Sequence, residues 1–291
     1  MASDLLVGML CAGLKATRIA HVCREKKELF EILIQEKGKL KNNVTDFKTL
    51  ADVFIQQVAQ NEIQEKFPPI GNKVYGEENN EFTNTLGESI TVEIKPTMDE
   101  TASLLARVLD GNEVASRLLA AEAHSNVQDQ IEKINIKDFE QMSQISMDVE
   151  NIGVWIDPID GTAQYVGGVS QEKKDQYGVY GKGLQCVTVL IGAYNTVTGL
   201  PIMGVVYQPF FEEAETEDGI KYWKYRCFWG LSYKNAQFNN VKSLHEVNMK
   251  QRAHDMNHVI ITSPHDEEAH EIIRSCENVQ YCTGGGAGYK C

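Results

Sequence analysis

Apolar residues recur at intervals of three and four near the start of the chain, at Leu6, Met9, Leu10 and Leu14, and continue through Ile19, Val22 and Cys23. That spacing lines one face of a helix, and Ser3-Asp4 can cap its start. The cluster Leu29-Phe30-Ile32-Leu33 offers an extension of it, before the basic, glycine-containing break Glu36-Lys37-Gly38-Lys39. A second helical pattern runs from about Asp46 to Lys66, with Phe47, Leu50, Ala51, Phe54 and Val58 along one stripe, and Pro68-Pro69 ends it. At about 100° per residue Asp52 lies about 130° from the centre of that stripe, so its carboxylate is either solvated or turned into a cleft.

Residues 98–150 read as polar helices and connections, with Ala102, Leu105, Val108 and Leu109 on one amphipathic face. The period then changes. Short apolar or β-branched runs at 152–156, 186–193, 202–207, 226–231 and 259–262, bounded by Gly, Pro and Asn, are predicted as strands. Helices followed by strands, then a further stretch of strand and helix, predict a layered α+β fold with a change of domain between about 200 and 245. Residues 1–200 are expected to form an N-terminal α+β domain carrying the site, and 201–291 a partial C-terminal α/β domain. The acidic run from Glu212 to Asp218 reads as a solvated hairpin tip.

Charge narrows the classes of ligand. Lys and Arg number 28 against 41 Asp and Glu, a formal charge of −13 over 291 residues. That balance argues against attachment to nucleic acid or to an anionic membrane surface, because each needs an excess of cations over a face. A phosphate-bearing ligand would have to be held locally, by metal ions, backbone amides or a few chosen cations. The 7 cysteines are widely spread without a C-x-x-C pair, and are expected to be reduced thiols of a cytoplasmic protein. The first residues lack the cationic region of a signal peptide, and no run of about 18 uninterrupted apolar residues occurs, so no membrane segment is expected. Asn43-Val44-Thr45 is then an accidental sequon.

The candidate chemistry concentrates in Trp155-Ile156-Asp157-Pro158-Ile159-Asp160-Gly161-Thr162, where an apolar run ends in two carboxylates. Pro158 fixes a backbone angle and lacks an amide, so the strand is not expected to continue through it, and Gly161 permits a sharp turn. Two anions held so close repel unless one is protonated or a cation lies between them, and hard oxygen ligands favour Mg²⁺, Mn²⁺ or Ca²⁺. A bare D-P-x-D is equally an ordinary turn sequence. Upstream, Val74-Tyr75-Gly76-Glu77-Glu78-Asn79 brings an apolar approach, a glycine and adjacent acids. Taken alone that is common surface loop. Taken with the first segment it supplies third and fourth carboxylates for a two-cation site suited to phosphate-ester hydrolysis.

The pair Gly76-Glu77-Glu78 and Asp157-Pro-Ile-Asp160-Gly-Thr162 resembles the lithium-sensitive, magnesium-dependent phosphomonoesterase superfamily of inositol monophosphatase, bisphosphate nucleotidase and fructose bisphosphatase. Within it the chain is most similar to the branch acting on inositol polyphosphates, through Asp46-Phe-Lys-Thr-Leu-Ala-Asp52, Gly76-Glu-Glu-Asn-Asn-Glu-Phe-Thr83, Asp110-Gly-Asn-Glu-Val-Ala-Ser116, Gly183-Leu-Gln-Cys-Val-Thr188 and Gly286-Ala-Gly-Tyr-Lys290. The long connection from Glu77 to Asp157 points the same way. The resemblance implies an αβαβα sandwich of the sugar-phosphatase type, with the second domain incomplete. It implies removal of the 1-phosphate from inositol 1,4-bisphosphate and inositol 1,3,4-trisphosphate by direct attack of a metal-bound water, in inositol phosphate signalling and recycling. Two or three Mg²⁺ ions are implied as cofactors and Li⁺ as an inhibitor.

Carried over by motif position, Glu77, Asp157 and the Ile159 carbonyl would hold a first ion. Asp157 and Asp160 would bridge to a second, and Glu78 would assist through water. Asp52 and Thr162 would orient and deprotonate the attacking water. Substrate contacts would come from Asp160, the amides of Gly161 and Thr162, Ser263, His265, Gly286 and Lys290. His265 stands where the resemblance leads one to expect lysine, and is otherwise an ordinary loop histidine. The implied partner is a small inositol polyphosphate, acted on by a monomer. Members of the superfamily continue past G-A-G-Y-K to a W-D-x-C-A segment that completes the second metal site. The sequence in hand stops at Cys291, so a fragment of weakened activity is expected, and two alternatives stand beside it: an inactive chain that only binds metal, and a 3′(2′),5′-bisphosphate nucleotidase.

Overall fold

In the computed structural model, which describes residues 1–25, 30–31, 33–39, 45–132, 136, 138–171, 173–241, 258–264, 266–276 and 279–290, the first pattern becomes helix α1 (Ala2–Glu25). It is buried around most of its circumference and not along one stripe, because it lies between a second helix, the main sheet and a further helical layer. By length and composition α1 is also able to cross a membrane, a property that the search for uninterrupted apolar runs does not register, yet 78% of its most apolar window is buried within the protein.

The basic break is not a break. It is strand β1 (Ile34–Lys39), paired antiparallel with β2 (Thr45–Thr49), so helix α2 (Leu50–Lys66) starts later than the stripe suggests. A capping box sets that start: Thr49 Oγ1 accepts the Asp52 amide at 3.3 Å while the Asp52 carboxylate accepts the Thr49 amide at 2.7 Å. Phe30 and Leu33 are buried, whereas Leu29 and Ile32 of the suggested α1 extension, like Asn43 and Val44 of the sequon, lie outside the described residues. Where α1 meets α2, Lys15 Nζ donates to Glu62 at 2.6 Å and to the Ala123 carbonyl at 3.0 Å, and Lys66 reaches the other Glu62 oxygen at 2.8 Å.

Next come β3 (Val74–Gly76) and a short hairpin of β4 (Glu81–Thr83) and β5 (Ser89–Thr91). Four helices follow, α3 (Met98–Ala106), α4 (Glu113–His124), α5 (Gln128–Glu132) and α6 (Phe139–Ser143). The face predicted for this stretch is inside, with Ala102, Leu105, Val108 and Leu109 all buried. Strand β6 (Ile152–Asp160) then leads into the short helix α7 (Thr162–Gly167). With β7 (Thr188–Asn195), β8 (Pro201–Glu215), β9 (Lys221–Tyr233) and β10 (Ala236–Asn239) it builds a six-stranded sheet in the order β10-β9-β8-β7-β6-β3. Among the described residues of this sheet, the β3/β6 pair alone is parallel.

Pro158 does not end β6. The strand continues to Asp160 through an irregular step, with Asp157 opposite Leu190 and Asp160 opposite Thr188, because the missing amide falls where the ladder is already interrupted. The acidic run is partly strand: Glu212 and Glu213 lie on β8 beside Lys224 at 2.9 Å and Lys221 at 3.6 Å, and only Glu217-Asp218 form the tip. Strands β8 to β10 share the sheet of β6 and β7, so that sheet runs across position 200, where the sequence-based boundary falls. A smaller unit follows, in which β11 (His258–Thr262) and β12 (Val279–Thr283) pair in parallel with α8 (Glu267–Arg274) between them in the chain. Helical layers, a large sheet and a second small sheet with its helix make the layered α+β architecture that was expected.

Candidate active site

The N-terminal turn of α2, the end of β3 and the end of β6 converge because α2 packs on both strands and β3 pairs with β6. Asp52 arrives here fully inside the protein, which decides between the two alternatives in favour of the cleft. One of its oxygens serves the capping box. The other accepts the Thr162 hydroxyl at 3.4 Å, and the same hydroxyl reaches the Ile159 carbonyl at 3.0 Å. Burial pushes the Asp52 carboxyl up to about 7, against the hydrogen bonds from Thr49 that favour the anion.

Glu77 follows β3 directly, and its amide donates to the Ile156 carbonyl at 3.2 Å, which carries the β3/β6 ladder one step further. The Glu77 side chain is half exposed, while Asp157 is largely enclosed and its Oδ1 is buried without a hydrogen-bond partner. Burial raises the Asp157 carboxyl to about 8, and the charges of Glu77, Asp160 and Asp52 push in the same direction. Glu78 differs from both. It is buried against two lysines, Lys37 and Lys48, the latter at 3.5 Å, and Lys37 also approaches Glu77 at 3.7 Å. Burial lowers the Lys48 pKa, opposed by Glu78, and its ammonium also donates to the Asn79 carbonyl at 3.2 Å.

Asp160 is satisfied by the protein. Its carboxylate accepts the Thr188 hydroxyl at 3.0 Å and the amides of Ala287 and Gly288 at 2.9 and 2.8 Å. The glycine-rich segment predicted to line the site is thereby clamped to the end of β6. Gly286, at φ +74°, comes so close that a Cβ there would stand 2.6 Å from Asp160 Oδ2. Gly161, in the left-handed region at φ +84°, lies against the same turn. Lys290 folds beside Gly284, near enough to Cys186 for its charge to oppose the burial that raises that thiol. Ser263 is half-buried beyond β11, and no described hydrogen bond joins its side chain to the carboxylates. His265 lies outside the described residues.

Does this donor set suit a metal ion? Among the described residues no three or more His, Cys, Asp or Glu side chains gather closely enough to hold one, while Glu78 is already paired with lysines and Asp160 already accepts hydrogen bonds from amides. Glu77 and Asp157 fit a single hard cation, on the strength of the orphaned Asp157 oxygen among like charges. Sequence reasoning overlooked Lys37, Lys48, Thr188 and Gln56. Gln56 alone carried a local signal, since it stands four residues after Asp52 on the same helical face.

Comparison with known proteins bears on the same segments. The model of the inositol monophosphatase family matches residues 108–287. Inositol polyphosphate 1-phosphatase of Mus musculus is 43% identical over 300 residues, covering 99% of this chain and 73% of that protein. Its Homo sapiens counterpart is 42% identical over 243 residues, covering 82% of this chain and 58% of that protein. Among solved structures, the extragenic suppressor protein suhB from Bartonella henselae superimposes with a TM-score of 0.47 at 16% identity, covering 97% of this chain and 72% of that one. The chain belongs to the inositol monophosphatase family.

Proposed function

We propose that the protein is a Mg²⁺-dependent phosphomonoesterase that removes the 1-phosphate from inositol 1,4-bisphosphate and inositol 1,3,4-trisphosphate. The observation that carries the reading is the unpartnered Asp157 oxygen among the charges of Glu77 and Asp160, together with the hydrogen bond from half-buried Thr162 to buried Asp52. The substrate class is that of the relatives with 42–43% identity.

Glu77 and Asp157 would hold the cation, which when bound supplies Lewis acidity toward the phosphate oxygens and lowers the pKa of water. The chain's own residues do the rest. Thr162 carries one hydroxyl proton and has two acceptors in reach, Ile159 and Asp52, so its lone pairs stay directed toward the cleft and can take a hydrogen bond from water. Asp52, held near neutrality by burial, can receive a proton at physiological pH. Asp160 keeps the 286–288 turn against the site, so Gly286 leaves the approach to the carboxylates open. We also take Mg²⁺ to be the natural cation, Li⁺ to inhibit uncompetitively at millimolar concentration, and the protein to act as a cytoplasmic monomer.

The test is phosphate release with Mg²⁺ from inositol 1,4-bisphosphate, inositol 1,3,4-trisphosphate and 3′-phosphoadenosine 5′-phosphate, compared in parallel. Faster turnover of the adenosine compound would replace this reading with the nucleotidase one. Cation binding without release from any of the three would leave a metal-binding chain that does no chemistry.

A further inference from the structure

We propose that Gln56 is a positioning residue that sets the Glu77 carboxylate beside Asp157, making cation affinity depend on a side-chain amide one turn along α2 from Asp52. The inference rests on the cation-dependent reading of the site given above.

Gln56 is buried, and its amide touches backbone only in the acidic segment. Its Oε1 accepts the Glu78 amide at 2.8 Å, and its Nε2 donates to the Glu78 carbonyl. One side chain thus satisfies both backbone groups of residue 78, as a neighbouring strand would. On the preceding flank, Gly76 is in register with Ile156, and the Glu77 amide bonds the Ile156 carbonyl at 3.2 Å. Glu77 is therefore pinned from two sides, by β6 before it and by Gln56 after it.

Gly76 makes the second clamp possible. A Cβ at that position would stand 2.1 Å from Gln56 Oε1, so any larger residue would drive the amide away. The Glu78 carboxylate is held independently by Lys37 and Lys48, which leaves the direction of the Glu77 backbone as the quantity that Gln56 controls. Because Asp52 and Gln56 share a face of α2, one rigid element positions both the proton acceptor and the cation ligand. Groups that orient a metal ligand typically change metal affinity about 10–100-fold when removed.

Gln56→Met keeps the length of the side chain and loses both hydrogen bonds. With Mg²⁺ titrated calorimetrically into the folded protein, the variant's half-saturation point is expected to rise about 10–100-fold. Phosphate release lost at low Mg²⁺ should return at high Mg²⁺, a split that simple destabilisation does not produce. Gly76→Ala, which displaces the amide without altering it, should give the same shift, and it decides the matter if Gln56→Met fails to fold. A folded variant of either kind with the wild-type half-saturation point would overturn the inference. Wild-type protein that responds to Mg²⁺ but releases no phosphate would overturn the catalytic reading alone, with the titrations still deciding the role of Gln56. A wild-type melting temperature indifferent to Mg²⁺ and Mn²⁺ would overturn both.

Discussion

Near the C-terminal end of α2, Glu62 is buried between Lys15 and Lys66, at 2.6 and 2.8 Å, and Lys15 is completed by the Ala123 carbonyl. Near the other end of the same helix, Asp52 shares its surroundings with Asp157 and Glu77, where Asp157 Oδ1 has no partner. Both regions take carboxylates out of water, a costly step unless something compensates. At Glu62 the chain supplies the compensation: burial opposes ionisation, but the hydrogen bonds and charges of Lys15 and Lys66 outweigh it and hold the carboxyl below its usual range. At Asp157 burial and the like charges of Glu77, Asp160 and Asp52 all push the carboxyl up, to about 8. A balanced group of this kind is part of the scaffold. An unbalanced one is held in readiness for something that is not part of the chain.

The sharpest way to break this contrast is to unbalance the first region. Lys15→Met is expected to destabilise the protein by about 1–3 kcal/mol in urea denaturation, because the buried Glu62 loses one of its two lysines and keeps Lys66. Adding Glu62→Leu should recover most of that loss. A cost under about 1 kcal/mol for Lys15→Met would show that Glu62 is not held by the pair. Asp157→Asn should act oppositely, lowering phosphate release by at least about 100-fold while making the cation-free protein more stable, read from its melting temperature in EDTA. Thr162→Ala is expected to lose about 10²–10⁴-fold in turnover with an unchanged Mg²⁺ half-saturation point, which separates proton handling from cation binding.

Asp160 is an intermediate case, an acid beside Asp157 whose carboxylate accepts hydrogen bonds from backbone amides. Gly286→Ala should therefore cost about 1–3 kcal/mol, through its positive φ and the 2.6 Å approach of the new Cβ to Asp160. Unchanged stability would mean that the 286–288 turn is not anchored there. The smallest effect expected is on pH dependence, where the two regions differ in sign. Burial raises the Asp157 carboxyl from its ordinary 3.8 to about 8 in the fold, so between those values the native state keeps a proton that the unfolded chain releases. In EDTA its contribution is fully present below about pH 4 and is lost as pH rises from there to about 8, by at most about 1.4 kcal/mol per pH unit. Glu62, held below its ordinary 4.5, stabilises above that pH and loses its contribution as pH falls through its folded value. Urea midpoints followed across pH should lose part of the fall between about pH 4 and 8 in Asp157→Asn, the remainder belonging to Asp52, and should lose the acid slope in Glu62→Gln. A wild-type profile that is flat between about pH 4 and 8 would remove the basis for calling the site unbalanced.

Much of the candidate site was legible because its parts are close in sequence. The D-P-I-D-G-T run places Asp157, Asp160 and Thr162 together by covalent connection, and the helical period separates Asp52 from the apolar stripe. Less legible was the segment before α2. Gly38 and the lysines suggested a break, but pairing between 34–39 and 45–49 turned it into a hairpin that brings Lys37 and Lys48 to Glu78. Pro158 was misleading for a related reason, since a proline is tolerated in a strand whose partner is already out of step. Gln56 looked like one more polar residue on a helix, and only the approach of residue 78 gave its amide a task.

Local order follows directly from the amino-acid sequence: the helical stretches, the apolar run of β6, the adjacency of the acids and the glycines that let backbone come close. These depend on steric preferences and on periods of two and 3.6 residues, which act over a few positions. The fate of each charge was decided only when distant segments met. Glu62 depends on Lys15, which is 47 residues away, and Asp160 on amides 127 and 128 residues away. Asp157 is distinguished by the lack of any such donor at Oδ1. Desolvation and pairing are properties of a neighbourhood in space, so four acids that look alike in sequence become a lysine-bound brace, an amide-bound clamp and a pair left open to a cation.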